Sequence, residues 1–73
     1  MTEVHAELAG TVWKVTCAVG DLVEEDATLI ILESMKMEIP VVAPCQGMVS
    51  EILTAEGALV QEGDVLLQLS ENP

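Results

Sequence analysis

The sequence is almost without aromatic side chains and without positive charge. It contains no Phe, Tyr or Arg, its only aromatic residue is Trp13, and its only cationic side chains are Lys14 and Lys36, against thirteen Asp and Glu. The formal net charge is −11. A field this negative disfavours binding to nucleic acids and to anionic lipid surfaces, which are themselves negatively charged. We therefore expect protein partners, with a basic docking face on the partner.

Cysteine and histidine are equally scarce. Cys17 and Cys45 lie too far apart in the sequence to form one metal-ligand cluster, and His5 is the only histidine. We therefore predict no metal site. We place Cys17 in an apolar strand and Cys45 in a turn beside Pro44. Free thiols in a reducing compartment are the favoured interpretation, and a disulfide is the alternative.

Long apolar runs are also missing. No segment approaches the roughly 20 apolar residues of a membrane helix, and residues 1–7 have neither the basic nor the apolar stretch of a secretory signal. We expect a cytoplasmic protein that does not contact membranes and is a monomer in isolation. The length predicts one small domain, residues 1–73, with a thin core within about residues 4–69.

What the sequence does contain is an internal repeat with an offset of 37 residues. When residues 4–32 are aligned with residues 41–69, eleven of the 29 pairs are identical, whereas random pairing at this composition gives about two or three. Short β-branched runs separated by glycine and acidic turns predict three strands in each half. These strands are 10–15, 19–23 and 28–32, then 47–49, 57–60 and 65–69. The repeat predicts an all-β sandwich or flattened barrel with a pseudo-two-fold axis.

Two mismatches within the repeat carry structural predictions. Asp26 stands where the second half has Gly63, and Asp is among the few residues that tolerate positive φ if that turn requires it. Pro40, whose counterpart is Glu3, lacks a backbone donor. It predicts that the strand at residues 39–42 is an edge strand or that the position of the missing N–H faces outward.

Three side chains outside the turns have ordinary structural interpretations. We expect Trp13 to be a partly buried packing anchor, with an exposed docking residue as the alternative. Lys14 is predicted to point outward from an alternating strand. His5 is predicted to lie on the surface of an edge strand.

Lys36 is the most informative residue of the chain. It falls between the halves, after strand 28–32 and before strand 39–42, and the large flexible thioethers of Met35 and Met37 flank it. Beyond them the chain reads Glu33, Ser34 and Glu38, so that charge and apolar surface alternate. This pattern suits a tight exposed turn, which leaves the amine accessible from outside. The repeat pairs Lys36 with Pro73 and so predicts the lysine turn at one end of the molecule and both termini at the other.

The segment from Glu33 to Pro40, with Ala43-Pro44-Cys45-Gln46-Gly47 and Glu62-Gly63-Asp64-Val65-Leu66 after it, resembles the biotinyl/lipoyl attachment domain family. The resemblance covers residues 4–69 and is closest to the small stand-alone attachment proteins and to biotin carboxyl carriers. It implies a flattened barrel of two four-stranded antiparallel sheets, with the modified lysine on the hairpin turn that joins the halves. Ser34 departs from the Ala common before the Met, and Glu7-Leu8-Ala9-Gly10 departs from a common Pro-Met-Pro-Gly.

The resemblance also implies a function. In the family, a biotin protein ligase attaches biotin to the lysine, and the biotin carries carboxylate from a biotin carboxylase to a carboxyltransferase. Carried over, this makes Lys36 the attachment residue, Met35 and Met37 the motif neighbours that the ligase recognises, and Glu33, Ser34 and Glu38 the flanking turn. The resemblance thus implies a carrier and not an enzyme, with covalent biotin as its cofactor.

The chemistry explains the residue types. Only a primary amine on a long flexible stem forms a hydrolysis-resistant amide and also lengthens the arm that carries the cofactor. Amine attack requires the neutral form, which is rare for a free lysine near neutral pH, so the ligase must activate it. Methionines on both sides offer adaptable apolar contacts to a ligase pocket.

Two other functions stay open from the sequence. A lipoyl carrier has the same fold, but lipoyl domains have Asp-Lys-Ala around their lysine, and the Met-Lys-Met of this chain departs from that. An unmodified interaction module of the same fold would accept neither cofactor. The substrate that receives the carboxylate is not specified by any residue of the chain.

Overall fold

The fold is built from β-strands throughout the described residues. The computed structural model describes residues 1–71, so the predicted pairing of Lys36 with Pro73 lies outside them. The strands are β1 (Thr2–His5), β2 (Gly10–Val15), β3 (Leu22–Val23), β4 (Thr28–Ser34), β5 (Met37–Val42), β6 (Gly47–Ile52), β7 (Leu59–Val60) and β8 (Val65–Ser70). Within residues 1–71, nothing forms a helix of the length and apolar character that crossing a bilayer demands.

The strands form two four-stranded antiparallel sheets, which confirms the predicted fold class. Sheet A has the order β1-β8-β6-β3 and sheet B the order β5-β4-β2-β7. Each strand of one sheet therefore has its repeat counterpart at the same place in the other sheet. Each sheet also takes two strands from each half of the chain. The predicted edge positions of Pro40 and His5 are confirmed, because β5 and β1 are edge strands.

The core lies between the inner faces of the two sheets. Its buried members are aliphatic, because alternate residues of each strand point inward and those residues are Val, Leu, Ile or Ala. They are Val4, Ala6, Val12, Leu29, Ile30, Leu32, Ala43, Val49, Val60, Leu66, Leu67 and Leu69. No polar or charged side chain among the described residues is buried. Aliphatic packing thus provides the core stability, as the composition predicts.

Four tight turns with matching hydrogen bonds connect the strands. In each, the amide of the fourth residue donates to the carbonyl of the first, at Asp21, Ala27, Ala58 and Asp64. The third residue of each turn has positive φ, and three of the four are glycines. The exception is Asp26, with φ 71°. The prediction for Asp26 is confirmed, since its turn does require the left-handed region that Asp tolerates.

Two predicted strands are shorter than the sequence indicated. Residues 19–21 belong to a turn closed by the Asp21 side chain, which accepts a hydrogen bond of 2.8 Å from the amide of Ala18, and only Leu22–Val23 pair in the sheet. The corresponding strand of the second half likewise begins at Leu59 rather than at residue 57. Glycine occurs in these turns because it adopts the positive φ that the turn requires, and not because it pairs within a strand.

The prediction that Cys17 lies in a strand is wrong. Strand β2 ends at Val15, and Cys17 follows in the connection to β3, packed against the edge of the core. The amide of Thr16, one residue beyond β2, still donates a hydrogen bond to the carbonyl of Leu29 in β4. Cys45 lies in a bend, as predicted. Both thiols are free.

Candidate functional site

The site is the hairpin that joins β4 to β5. Ser34 pairs with Met37 across it, which leaves Met35 and Lys36 as the two residues of the connection. Both have positive φ, 52° and 64°. A two-residue hairpin with both central residues in the left-handed region is a type I′ turn, whose twist matches that of the flanking strands. The predicted tight turn is thus present, with Lys36 at its apex.

The residue types at this turn are unusual for its geometry. Type I′ turns favour Asn-Gly or Gly-Gly, because a Cβ in the left-handed region crowds the following carbonyl oxygen. Met35 and Lys36 occupy both positions here. Apart from Asp26, they are the only non-glycine residues of positive φ among residues 1–71. Strained backbone of this kind concentrates at functional sites.

The side chains of the turn are open to solvent. Met35 is 91% exposed, although a thioether side chain ordinarily packs in a core. Lys36 and Met37 are exposed as well. The one contact of salt-bridge distance within residues 1–71 joins the His5 Nε2 and the Glu3 Oε1, at 3.4 Å, so no carboxylate there holds the Lys36 amine in an ion pair. The amine is therefore available to an external enzyme.

A row of outward-facing residues begins beside the turn and crosses sheet B. Glu38 lies opposite Glu33, Glu33 opposite Thr11, and Thr11 opposite Leu59. Residues directly opposite each other in antiparallel strands share one face. The two glutamates next to Lys36 are therefore cross-strand neighbours, an arrangement that costs stability because like charges face each other.

Close packing beneath the hairpin fixes its position. Gly10 of β2 lies so near the end of β4 that a Cβ built on it would be 2.8 Å from the carbonyl oxygen of Glu33. The same relationship recurs in sheet A, between Gly47 and the carbonyl oxygen of Ser70. The sequence singled out both glycines through the repeat and the family resemblance, and not as close-contact sites. Their role as close-contact sites, and the roles of Thr11 and Leu59 in the row, require the strand register.

The remaining candidate residues lie away from the turn. Trp13 sits at a bulge of β2 and is 42% exposed, and the Lys14 Nζ lies 5.6 Å from its ring centroid. The surface position of Lys14 is as predicted. Burial, with a smaller effect of the Asp21 carboxylate, raises the pKa of the Cys17 thiol. No three His, Cys, Asp or Glu side chains in residues 1–71 lie close enough to hold a metal ion.

Comparison with known proteins shows which family has this architecture. The family model described as "Biotin-requiring enzyme", for biotin and lipoyl domains, matches residues 1–69. The chain belongs to the biotin/lipoyl attachment family. It is 51% identical over 69 residues to the biotin/lipoyl attachment protein of Bacillus subtilis, with 94% of each chain covered. It is 40% identical over 68 residues to the biotinylated protein TB7.3 homolog of Mycobacterium leprae, with 93% of this chain and 96% of the relative covered.

Solved structures place the biotin/lipoyl fold in larger proteins and by itself. The urea carboxylase of Kluyveromyces lactis contains a region with TM-score 0.90 and 38% identity, which covers 94% of this chain and 6% of that enzyme. The lipoyl domain of the 2-oxoglutarate dehydrogenase complex of Azotobacter vinelandii has TM-score 0.76 and 26% identity, with 96% and 99% of the two chains covered. This biotin/lipoyl domain is a carrier domain of the kind found in biotin-dependent carboxylases, not a catalyst.

Proposed function

We propose that the protein is a biotin carboxyl carrier whose Lys36 amine is biotinylated by a biotin protein ligase. The observation that carries the proposal is the position of Lys36 at the apex of a type I′ turn, exposed and flanked by exposed Met35 and Met37. The residues present fit covalent attachment, because the amine projects from a rigid hairpin with no competing ion pair within residues 1–71. Biotin, when attached, supplies a ring nitrogen that carries carboxylate.

The Lys36 side chain has one chemical task in this proposal. Its neutral amine attacks the acyl carbon of biotinyl-adenylate, the C–N amide bond forms, the C–O bond to the adenylate phosphate breaks, and AMP and the amine proton leave. Since a lysine amine is mostly protonated near neutral pH, a base on the ligase has to accept that proton. The resulting amide resists hydrolysis, so the attachment survives many transfers.

The proposed partners follow from the carrier role. The biotin protein ligase acts first, and a biotin carboxylase and a carboxyltransferase then use the loaded domain in the cytoplasm. The turn between β4 and β5 holds the Lys36 side chain, with its attached biotin, outside the two sheets. Tethering raises the local concentration of the cofactor at each partner's active site. The acidic surface fits partners whose docking faces are basic.

Biotin is favoured over lipoate by the residues around the lysine. Exposed methionines on both sides of Lys36 provide apolar, adaptable contacts for a ligase pocket, and a relative covered over nearly its whole length is described as biotinylated. Lipoylation is the competing proposal, since the fold is also that of a lipoyl domain.

Coexpression with each ligase separates these proposals. The protein is produced with a biotin protein ligase and biotin, or with a lipoate ligase and lipoate, and its intact mass is measured. We expect one biotinyl increment in the first case and no increment in the second. The matched control is Lys36→Arg, which keeps the charge and removes the primary amine; Lys14→Arg, at the other lysine, should still be biotinylated.

A lipoyl increment in place of a biotinyl one would refute the proposal in favour of the lipoyl carrier. The absence of both increments on the folded protein would favour the unmodified interaction module.

A further inference from the structure

The two sheets of the domain have the same backbone but different outer surfaces. Strands β5, β4 and β2 of sheet B present Pro40, Ile31 and Trp13 outward, and Val42 extends this surface along β5. We call these four residues the apolar patch. Ile31 lies opposite Pro40 and opposite the bulge at Trp13 and Lys14, so the patch is continuous across three strands.

The internal repeat provides a built-in comparison for the patch. The four residues that occupy the same positions on sheet A are all polar: Ser50, Gln68, Glu3 and His5 correspond to Trp13, Ile31, Pro40 and Val42. Lys14 likewise corresponds to Glu51. The bulge at Ser50 matches the bulge at Trp13. The fold therefore accepts polar side chains at every position of the patch, and folding alone does not explain why sheet B carries apolar ones.

Fewer differences run the other way. Within the strands, only Met48 and Val65 of sheet A stand where sheet B has Thr11 and Thr28. Both are half-buried, as Ile31 is, and they lie on different strands.

Outside the strands, Leu53 follows β6, is 47% exposed and stands where the first half has Thr16. Trp13 and Val42 of the apolar patch are 42% and 40% exposed. Exposed apolar surface of this kind, with a Trp among its residues, is typical of protein interfaces.

We propose that the apolar patch is a docking surface for the biotin protein ligase that modifies Lys36. This inference rests on the proposed function. The strands β4 and β5 that carry Ile31, Pro40 and Val42 are the two strands that end at the Lys36 turn. Pro40 lies three residues from Met37, which places it roughly 10 Å from the turn along β5.

The size of the domain supports this arrangement. A standard protein interface covers about 800 Å² per partner, more than a sixth of the 4473 Å² surface of this protein. A ligase that reaches Lys36 through such an interface has to cover a flank of the domain as well as the turn. Of the two flanks, the outer face of sheet B is the apolar one and the one that contains the hairpin.

The charges beside the apolar patch indicate which kind of partner surface is complementary to it. Glu33 and Glu38 lie between the patch and the turn, so the partner requires an apolar centre with basic groups beside it. A second copy of this chain does not provide such a face, because each copy carries a net charge of −11 and the copies repel each other. A ligase with a basic rim around an apolar docking site meets both requirements.

The test uses the counterpart residues of sheet A as substitutions. The double variant Trp13→Ser/Ile31→Gln copies onto sheet B the residues that sheet A has at the same positions. Biotin transfer by a purified biotin protein ligase is measured with the apo protein. We expect kcat/KM to fall about 10- to 100-fold, mainly through KM, because the loss of interface anchors weakens docking and leaves the amine unchanged.

The matched control is Ser50→Ala/Gln68→Ala on sheet A, which should leave kcat/KM within about two-fold of the wild-type value. Circular dichroism and thermal melting verify that each variant is folded. Val42→Ser, at an exposed position of an edge strand, provides a second test if the double variant does not fold, with an expected fall in kcat/KM of about 3-fold or more.

The outcomes separate this inference from the proposed function. If the ligase biotinylates the wild type and the patch variants equally well, the docking surface is refuted and the carrier proposal stands. If kcat/KM for biotinylation of the sheet A control falls as much as that of the patch variants, the docking surface is again refuted. If the ligase does not biotinylate the folded wild type, both proposals fail. Sedimentation of the wild type as a dimer and of the Trp13 variant as a monomer would instead assign the patch to self-association.

Discussion

Gly10 and Glu33 touch so closely that a Cβ on Gly10 would lie 2.8 Å from the Glu33 carbonyl oxygen. The contact joins β2 to the last residues of β4, immediately before the Lys36 turn. Gly47 and Ser70 repeat it in sheet A, also at 2.8 Å. One glycine thus supports the hairpin of Lys36, and its counterpart supports the end of β8.

We expect Gly10→Ala and Gly47→Ala each to lower the free energy of unfolding by about 1–3 kcal/mol, because backbone atoms must move to admit the new methyl group. Urea denaturation measures this loss. Only Gly10→Ala should also lower kcat/KM for biotinylation, since only Gly10 supports the hairpin of Lys36. If kcat/KM for biotinylation fell equally in both variants, reduced global stability would explain the change, and not the support of the hairpin by Gly10.

The strained turn predicts a trade between stability and recognition. Met35→Gly removes a Cβ from the left-handed region, and we expect the free energy of unfolding to rise by about 0.5–1 kcal/mol once the greater freedom of the unfolded glycine is subtracted. Thermal melting should show Tm raised by roughly 2–8 °C. Biotinylation should become slower, because the variant lacks the thioether that, in our proposal, Met35 offers to the ligase.

Asp26→Gly is the matched variant, since Asp26 also has positive φ and its counterpart is already Gly63. It should raise Tm to a similar extent and leave biotinylation unchanged. A lower Tm for both variants would show that the left-handed backbone at these positions is not strained.

Burial predicts very different effects for two leucines. Leu32 of β4 is 0% exposed, whereas Leu59 of β7 is 79% exposed. Leu32→Ala should lower the free energy of unfolding by about 2–5 kcal/mol, through lost burial and the cavity left behind. Leu59→Ala should change it by less than about 0.5 kcal/mol. Urea denaturation of both variants is the measurement, and similar losses would contradict the assignment of the core.

The raised pKa of Cys17 predicts slow alkylation. In a Cys45→Ser variant, the native protein should react with iodoacetamide more slowly than the same protein in urea, because burial and the Asp21 carboxylate raise the pKa above its ordinary value of 9.0 and less thiolate is present. The difference should shrink as the pH rises through the folded pKa. If the native form reacted faster than the unfolded one, folding would lower the pKa of Cys17 and the prediction would be wrong.

The same shift has a consequence for stability. A folded pKa above the unfolded one favours the protonated thiol, so this contribution to stability is complete below the unfolded pKa and is lost as the pH rises through the folded pKa. Asp21→Asn should reduce the shift without abolishing it, because burial is the larger cause.

Much of the fold was predictable because the repeat constrains the two halves jointly. Identical residues at Gly10 and Gly47 or at Leu32 and Leu69 mark equivalent positions, and the structure places the two members of each pair on corresponding strands of the two sheets. The turn at Asp26 was predictable for the same reason, since its counterpart is Gly63. The exposed lysine turn followed from residue chemistry and from its place between the halves.

The remaining features depend on contacts that a linear pattern does not encode. Periodicity alone did not distinguish residues 19–21, a turn closed by Asp21, from the start of a strand, because apolar and polar side chains alternate in both. The two-residue length of the Lys36 turn depends on the pairing of Ser34 with Met37. The cross-strand contact between Glu33 and Glu38 depends on the same register.

The exchange of strands between the sheets ties the two halves of the chain together. Strands β2 and β4 of the first half pair with β7 and β5 of the second, and β1 and β3 pair with β8 and β6. A polypeptide of half this length would have unpaired strand edges in both layers. Neither half can therefore complete a sheet alone, and the domain should unfold in a single cooperative step.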